Sequence, residues 1–180
     1  MKRFGIILSI LVLAAPLTQA AKLINPGFET GSFQNWNVAG QDWRVSTWHD
    51  DQRRGAYGAV TDVFTNDVSD EFRVIAQELK ASAGKSYRAE VWIRAVCTES
   101  TESFLEVQFL SKTGENLQQF QSTPVKKDQD FSPVSIPCML APEGTEKACI
   151  KGVVHILGMP VTNTDWHIFD NFRFDTLKTR

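Results

Sequence analysis

From Ser86 to Ala95 the chain alternates without a break. Tyr87, Ala89, Val91, Ile93 and Ala95 fall on one side, and Ser86, Arg88, Glu90, Trp92 and Arg94 on the other. Period two marks a strand with one face in a core and the other toward water. Such a strand needs a second layer over its apolar side, which narrows the fold sharply. Trp92 is the odd member, a large ring among charges on the wet face. It is either covered by a loop or bare to stack against a ligand, and much of the functional question turns on which.

Further strands are expected over Trp43–Trp48, Tyr57–Val63, Phe72–Leu79, Phe104–Leu110, Leu117–Val125, Phe131–Leu140, Ala148–Leu157 and Trp166–Phe174. Gly, Pro and Asn punctuate them, with turns at Asn25-Pro26-Gly27, Ala81–Gly84 and Thr113–Asn116. No segment keeps a helical period, and no repeat or linker is visible. The pattern predicts an all-β antiparallel sandwich or barrel.

Met1-Lys2-Arg3, the apolar run Phe4–Leu13 and the small-residue end at Ala20 have the order of a secretory signal peptide. Cleavage is expected after Ala20, with Ala21 as the near alternative, leaving one domain over 21–180. No Cys follows closely, which speaks against a lipid anchor, and no later segment is apolar enough to span a membrane. The product is expected to be secreted, periplasmic or at the cell surface. The full chain carries −2, and loss of Lys2 and Arg3 takes it to −4, which argues against nucleic acid as a partner.

Three cysteines, Cys97, Cys138 and Cys149, permit at most one internal bridge. Cys138 and Cys149 lie symmetrically about Glu143-Gly144 and would face each other if that turn joined antiparallel strands. The alternative is three buried, small apolar side chains. With no close-spaced pair among them, they argue against a metal site.

Four motifs recur in order: Asn25-Pro26-Gly27-Phe28-Glu29 with Trp36, Gln77 with Ala83-Gly84-Lys85-Ser86-Tyr87, Ala141-Pro142-Glu143-Gly144-Thr145, and Phe169-Asp170-Asn171-Phe172-Arg173-Phe174. Together they resemble the galactose-binding-like jelly-roll modules, most closely the carbohydrate-binding modules attached to xylanases, cellulases and related enzymes. The resemblance implies a two-sheet jelly-roll β-sandwich that binds polysaccharide or oligosaccharide and holds a structural calcium ion. It places calcium between Glu29 and Asp170, and carbonyls of the Arg53–Ala56 loop would complete a hard-oxygen shell. Two features depart from the usual setting: the module is expected to stand without a catalytic domain, and the 43–57 loop is rich in charge.

A sugar site needs a ring under the pyranose and planar polar groups at its hydroxyls. Arg88, Glu90, Trp92 and Arg94 qualify, joined by Glu106 and Gln108 if strand 104–110 lies in the same sheet. Trp43 and Trp48 would reach this face from the first loop, while Trp36 and Trp166 are expected in or near the core. The arginines also permit an anionic sugar. The competing expectation is a covered Trp92 among cross-strand ion pairs. Enzymes are the second class: His49, Asp50, Asp51, His155 and His167 are the acid–base candidates, and Asp50 with Glu106 a conceivable glycosidase pair. No nucleophile elbow, paired-histidine or phosphate-loop motif accompanies them, so no catalysis is expected. An extracellular protein partner bound by the same sandwich is the third class.

Overall fold

The computed structural model describes residues 22–47, 52–64, 67, 70–96, 100–157 and 165–178. The expected leader, Trp48, His49, Asp50, Asp51 and Cys97 lie outside them. No helix long and apolar enough to cross a membrane occurs among the described residues.

Among the described residues ten strands form: β1 (Asn37–Ala39), β2 (Trp43–Ser46), β3 (Gly58–Val63), β4 (Glu71–Lys80), β5 (Ser86–Val96), β6 (Thr101–Leu110), β7 (Asn116–Gln121), β8 (Gln129–Leu140), β9 (Lys147–Ile156) and β10 (Asp165–Thr176). They make two antiparallel sheets of five, ordered β1-β4-β9-β6-β7 (sheet A) and β2-β3-β10-β5-β8 (sheet B). This is the all-β jelly-roll sandwich. The alternation in β5 holds throughout: Tyr87, Ala89, Val91, Ile93 and Ala95 are buried, and their neighbours are not. They pack on the inward residues of sheet A, among them Ile75, Leu105, Val107, Phe109, Ile150 and Val154. Each fully buried large apolar side chain contributes roughly 2 kcal/mol.

Several motif residues prove to be fasteners. Gln77 pairs both ways with the backbone of Ile24, at 2.8 Å each, tying the N-terminal segment to β4. The Tyr87 hydroxyl accepts from Ser82 N at 2.8 Å, fixing the turn before β5. The Trp36 ring packs on Phe28 and Phe172, and its N–H donates to Asn25 O. Gly152 in β9 lets the sheets close, since a β-carbon there would lie 2.7 Å from the Phe169 ring.

The Cys138–Cys149 expectation fails. Cys138 is on β8 in sheet B and Cys149 on β9 in sheet A, so Ala141–Thr145 carries the chain from one sheet to the other. Both thiols are free, Cys138 exposed and Cys149 buried. Burial pushes the Cys149 thiol up to about 11, so it stays protonated. The strand expected to reach Val125 ends at Gln121, although Ser103 and Val125 still form a single bridge.

Candidate functional site

The outer face of sheet B carries the aromatic row. Trp92 is half-buried and lies beneath the Arg53 guanidinium, whose carbon is 3.6 Å from the ring centroid. Arg94 stands 5.2 Å over the ring of Trp166, which is half-buried on this face rather than in the core. Cation–π contacts of this kind satisfy a ring from the side a sugar would use. The remaining charges pair across strands: Arg44 with Asp62, Arg88 with Asp175, Arg94 with Asp130 and Arg173 with Glu90. The covered arrangement is therefore the one found.

Three of the residues expected on this face are elsewhere. Glu106 and Gln108 sit on β6, in the other sheet, because β5 and β6 pair with different neighbours. Trp43 turns inward at the core margin, 5.9 Å from Phe169, and its ring N–H donates to Ala39 O.

Sheet A presents a different surface. Its outward positions form rows across the strands: Phe72–His155–Glu102, Val74–Val153–Phe104, Ala76–Lys151–Glu106–Gln121 and Glu78–Cys149–Gln108–Gln119. From the first row to the last is six residues along a strand, about 20 Å. Glu102, Phe104, Glu106 and Val153 face outward yet are each less than a tenth exposed, so the middle of the face is sheltered. Segment 122–125 runs beside β6, with Ser122 N donating to Leu105 O and Val125 N to Ser103 O, and Lys126 reaches Glu102 at 3.1 Å.

Glu106 organises the centre. It accepts from Lys151 Nζ at 2.8 Å, Gln108 Nε2 at 3.1 Å and Gln119 Nε2 at 2.7 Å. Each acid in these four rows faces a base: Glu106 meets Lys151, Glu102 meets Lys126, and exposed Glu78 meets Lys147 at 3.0 Å. At the end of the platform the Phe72 ring, half-exposed, stacks on His155 at 4.0 Å. His155 is held between Asp70 and Glu102. Phe72 was not among the site residues expected from the sequence, where it only opened the strand Phe72–Leu79; the register shows it facing out.

The acid pair from the end motifs does meet. β10 bulges between Asp170 and Arg173, with Asn171 at φ 53°, a conformation Asn tolerates. Phe172 N is thereby freed to donate to Pro26 O, bringing the N-terminal turn alongside. Three oxygens converge on the space a β-carbon of Gly27 would fill: Asp170 Oδ1 at 3.2 Å, Asn171 Oδ1 at 3.6 Å and Glu29 Oε1 at 3.7 Å. Asp170 Oδ1 is buried with no hydrogen-bond partner. The 53–56 loop meets the acids with amides instead of the expected carbonyls. Arg53 N and Arg54 N donate to Asp170 Oδ2, and Ala56 N donates to Glu29. Gly55, at φ +91°, lets this loop pass the Glu29 carboxylate, where a side chain would collide. Burial, with the Glu29 charge adding to it, raises Asp170 from 3.8 to about 6 against the pull of the amides. No group of three His, Cys, Asp or Glu side chains that could hold a metal occurs among the described residues. The donor set here is two carboxylates and an amide oxygen, a chemistry that fits a hard cation.

The histidines separate clearly. His167 is fully buried, and burial, with Arg73 adding to it, lowers it to about 3, so it stays neutral. Thr101 donates to Asp165 at 2.7 Å and so accepts from His167 Nε2, which leaves Nδ1 to accept from Ser103. This chain joins β6 of one sheet to β10 of the other and is closed to any substrate. Buried Arg73 lies beside it, bonded to Thr61 Oγ1 and Asp62 O and 2.7 Å from Asp67.

No protein-family profile matches the sequence, and no curated protein matches it. Solved structures do. The enzymatically active domain of bacteriophage CBA120 tailspike protein 4 superposes with TM-score 0.66 at 13% identity over 86% of this chain, which spans only 21% of that one. TmCBM61, solved with beta-1,4-galactotriose, gives 0.62 at 24% identity, covering 86% of this chain and 97% of that. The CBM22-1 xylan-binding domain of Paenibacillus barcinonensis Xyn10C gives 0.58 at 13%, covering 90% and 98%. At these identities the likeness concerns the fold. The chain has the jelly-roll β-sandwich fold of the carbohydrate-binding modules, those of xylanases among them.

Proposed function

We propose that this chain binds a neutral polysaccharide without catalysis, and that it does so on the outer face of sheet A. The observation that carries the reading is the hydrogen-bonded cluster of Lys151, Gln108 and Gln119 around buried Glu106, with the Phe72 ring at the end of its platform. Planar amides and paired charges offer hydroxyl groups both donors and acceptors, and the exposed ring takes the apolar face of a sugar. Because each acid there is matched by a base, an anionic chain gains no net attraction. Similarity in fold to modules solved with sugar ligands supports the reading. Glu106 is held by a lysine and two amides, which suits a fixed acceptor better than a proton donor.

Glu29, Asp170 and Asn171 would hold a structural calcium ion, which would supply a positive charge for the buried, unpartnered Asp170 oxygen. Export, which the leader-like residues 1–20 would direct, would put this activity outside the cytoplasm.

Affinity electrophoresis of the mature protein through gels containing xylan, galactan, mixed-linkage glucan or a polyuronate tests the proposal. Retardation by one neutral polysaccharide, lost in Gln108→Ala and Phe72→Ala, is the expected result. Free migration in every neutral gel would overturn it and favour the protein-partner reading, whereas retardation by the polyuronate alone would overturn the neutral class.

A further inference from the structure

Beyond the sheet A platform, the opposite face contains a recess of about 290 Å³ between β5, β8 and β10. Two irregularities in the ladders flank it. β8 shifts register opposite Arg88, between the partners of Tyr87 and Ala89, and β10 shifts between Asp170 and Arg173. Bulges bend a sheet locally and re-aim its side chains, and here they leave a hollow where a flat face would otherwise be.

The recess is lined by two guanidiniums and two carboxylates with apolar walls from Pro137 and Leu177. Leu177 is held in place by its N–H, which donates to Ser86 O at 2.8 Å. Register puts Arg88 opposite Asp175, and Glu90 between Arg173 and Ser135. Neither ion pair uses up its donors. Arg88 directs Nε and Nη2 at one oxygen of Asp175, 3.1 Å from each, and Arg173 Nη1 stands 3.6 Å from Glu90, beyond hydrogen-bonding length. Forked donors and open carboxylate oxygens within one small hollow are what adjacent hydroxyls of a sugar require. The charges cancel, so an anion would have to displace a carboxylate already present, while a neutral polyol adds hydrogen bonds to both partners.

We propose that this recess is a second binding site, of single-sugar size, for a neutral sugar. Arg88 and Arg173 donate to its hydroxyls, and Glu90 and Asp175 accept from them. With the platform on sheet A, one chain then engages two glycan segments from opposite sides of the sandwich. The recess stands on its own geometry and does not require the sheet A reading.

The test is amide chemical-shift mapping on the mature protein carrying Phe72→Ala and Gln108→Ala, titrated with methyl β-galactoside, methyl β-xyloside, methyl β-glucoside and, as anionic control, methyl β-glucuronide. Shifts centred on Arg88, Glu90, Ser135 and Leu177 with at least one neutral glycoside are expected. Adding Arg88→Ala or Arg173→Ala, with the rest of the spectrum unchanged, should weaken that binding about tenfold. No response in the recess to any neutral glycoside overturns the proposal, as does a response to the glucuronide alone or one that survives both arginine substitutions. Response at Lys151 and Glu106 in the unsubstituted protein is read separately, so failure of the recess and failure of the platform are told apart.

Discussion

The two outer faces of the sandwich arise from the same period-two alternation, and they differ in what the rest of the chain brings to them. On sheet B, the aromatic rings face solvent on their own strands, but Arg53 and Arg94 occupy them from above and alongside. On sheet A no tryptophan is present, yet lysine, glutamate and glutamine side chains form a connected polar floor around buried Glu106, with a half-exposed phenylalanine ring, stacked on His155, at one end. An aromatic residue marks a sugar platform only where enough of the ring stays open, as Phe72 does at 49% exposure beside its His155 neighbour. The quieter row of amides is the better candidate because its capacity is left partly unspent.

The largest expected effect concerns what lies beneath the sheet B face. Asp170 binds its proton more tightly in the folded protein than in the unfolded chain, since its value rises from 3.8 to about 6. In metal-free protein the stability this proton supplies is complete below pH 4, falls as pH rises toward 6 and is level beyond. Its total is about 3 kcal/mol. Melting curves in chelator across this window should show the decline, Asp170→Asn should remove it, and calcium should raise the melting temperature at pH 7 only when Asp170 is present. A chelator-insensitive melting temperature rejects the calcium site.

Next in size is the division of binding between the faces. Phe72→Ala and Gln108→Ala should each weaken polysaccharide retention about tenfold, and their combination about a hundredfold. Trp92→Ala should leave retention within about twofold. Loss of retention in a folded Trp92→Ala protein would reverse the comparison. The stability readout runs the other way. Trp92→Ala should cost about 2 kcal/mol in urea unfolding, through lost burial and the Arg53 contact. Phe72→Ala, at a half-exposed position, should cost under about 1 kcal/mol. The smallest effect belongs to the exposed Arg88–Asp175 pair, where Asp175→Asn should change stability by less than about 0.5 kcal/mol. A larger loss would show that this pair braces the face.

Much of the architecture was legible. Alternation in Ser86–Val96 and the recurring strand lengths announced a half-buried sheet, and Glu29 and Asp170, named from the end motifs, lie near each other beside Gly27. The legible part of the candidate site was its residue chemistry: Glu106 and Gln108 were picked as planar polar groups on the condition that 104–110 shared a sheet with Trp92, and it lies in the other. Strand order is a long-range property, and nothing in Phe104–Leu110 says whether β5 lies beside it or across the core. The same blindness made Cys138 and Cys149 look like hairpin partners, when the turn between them changes sheets. It also gave His167 the look of a catalytic group, although desolvation holds it neutral inside.

What the sequence by itself determined is local: which residues alternate, where glycine and asparagine must turn the chain, and which side of each strand carries charge. These follow from backbone sterics and from the aversion of apolar surface to water, which act over a few residues. Only the tertiary structure decided which wet face keeps a half-exposed ring beside a connected polar cluster. That depends on contacts such as Arg53 on Trp92 and Lys151 on Glu106, between residues far apart in the chain, and their pairing is set by how the two sheets assemble.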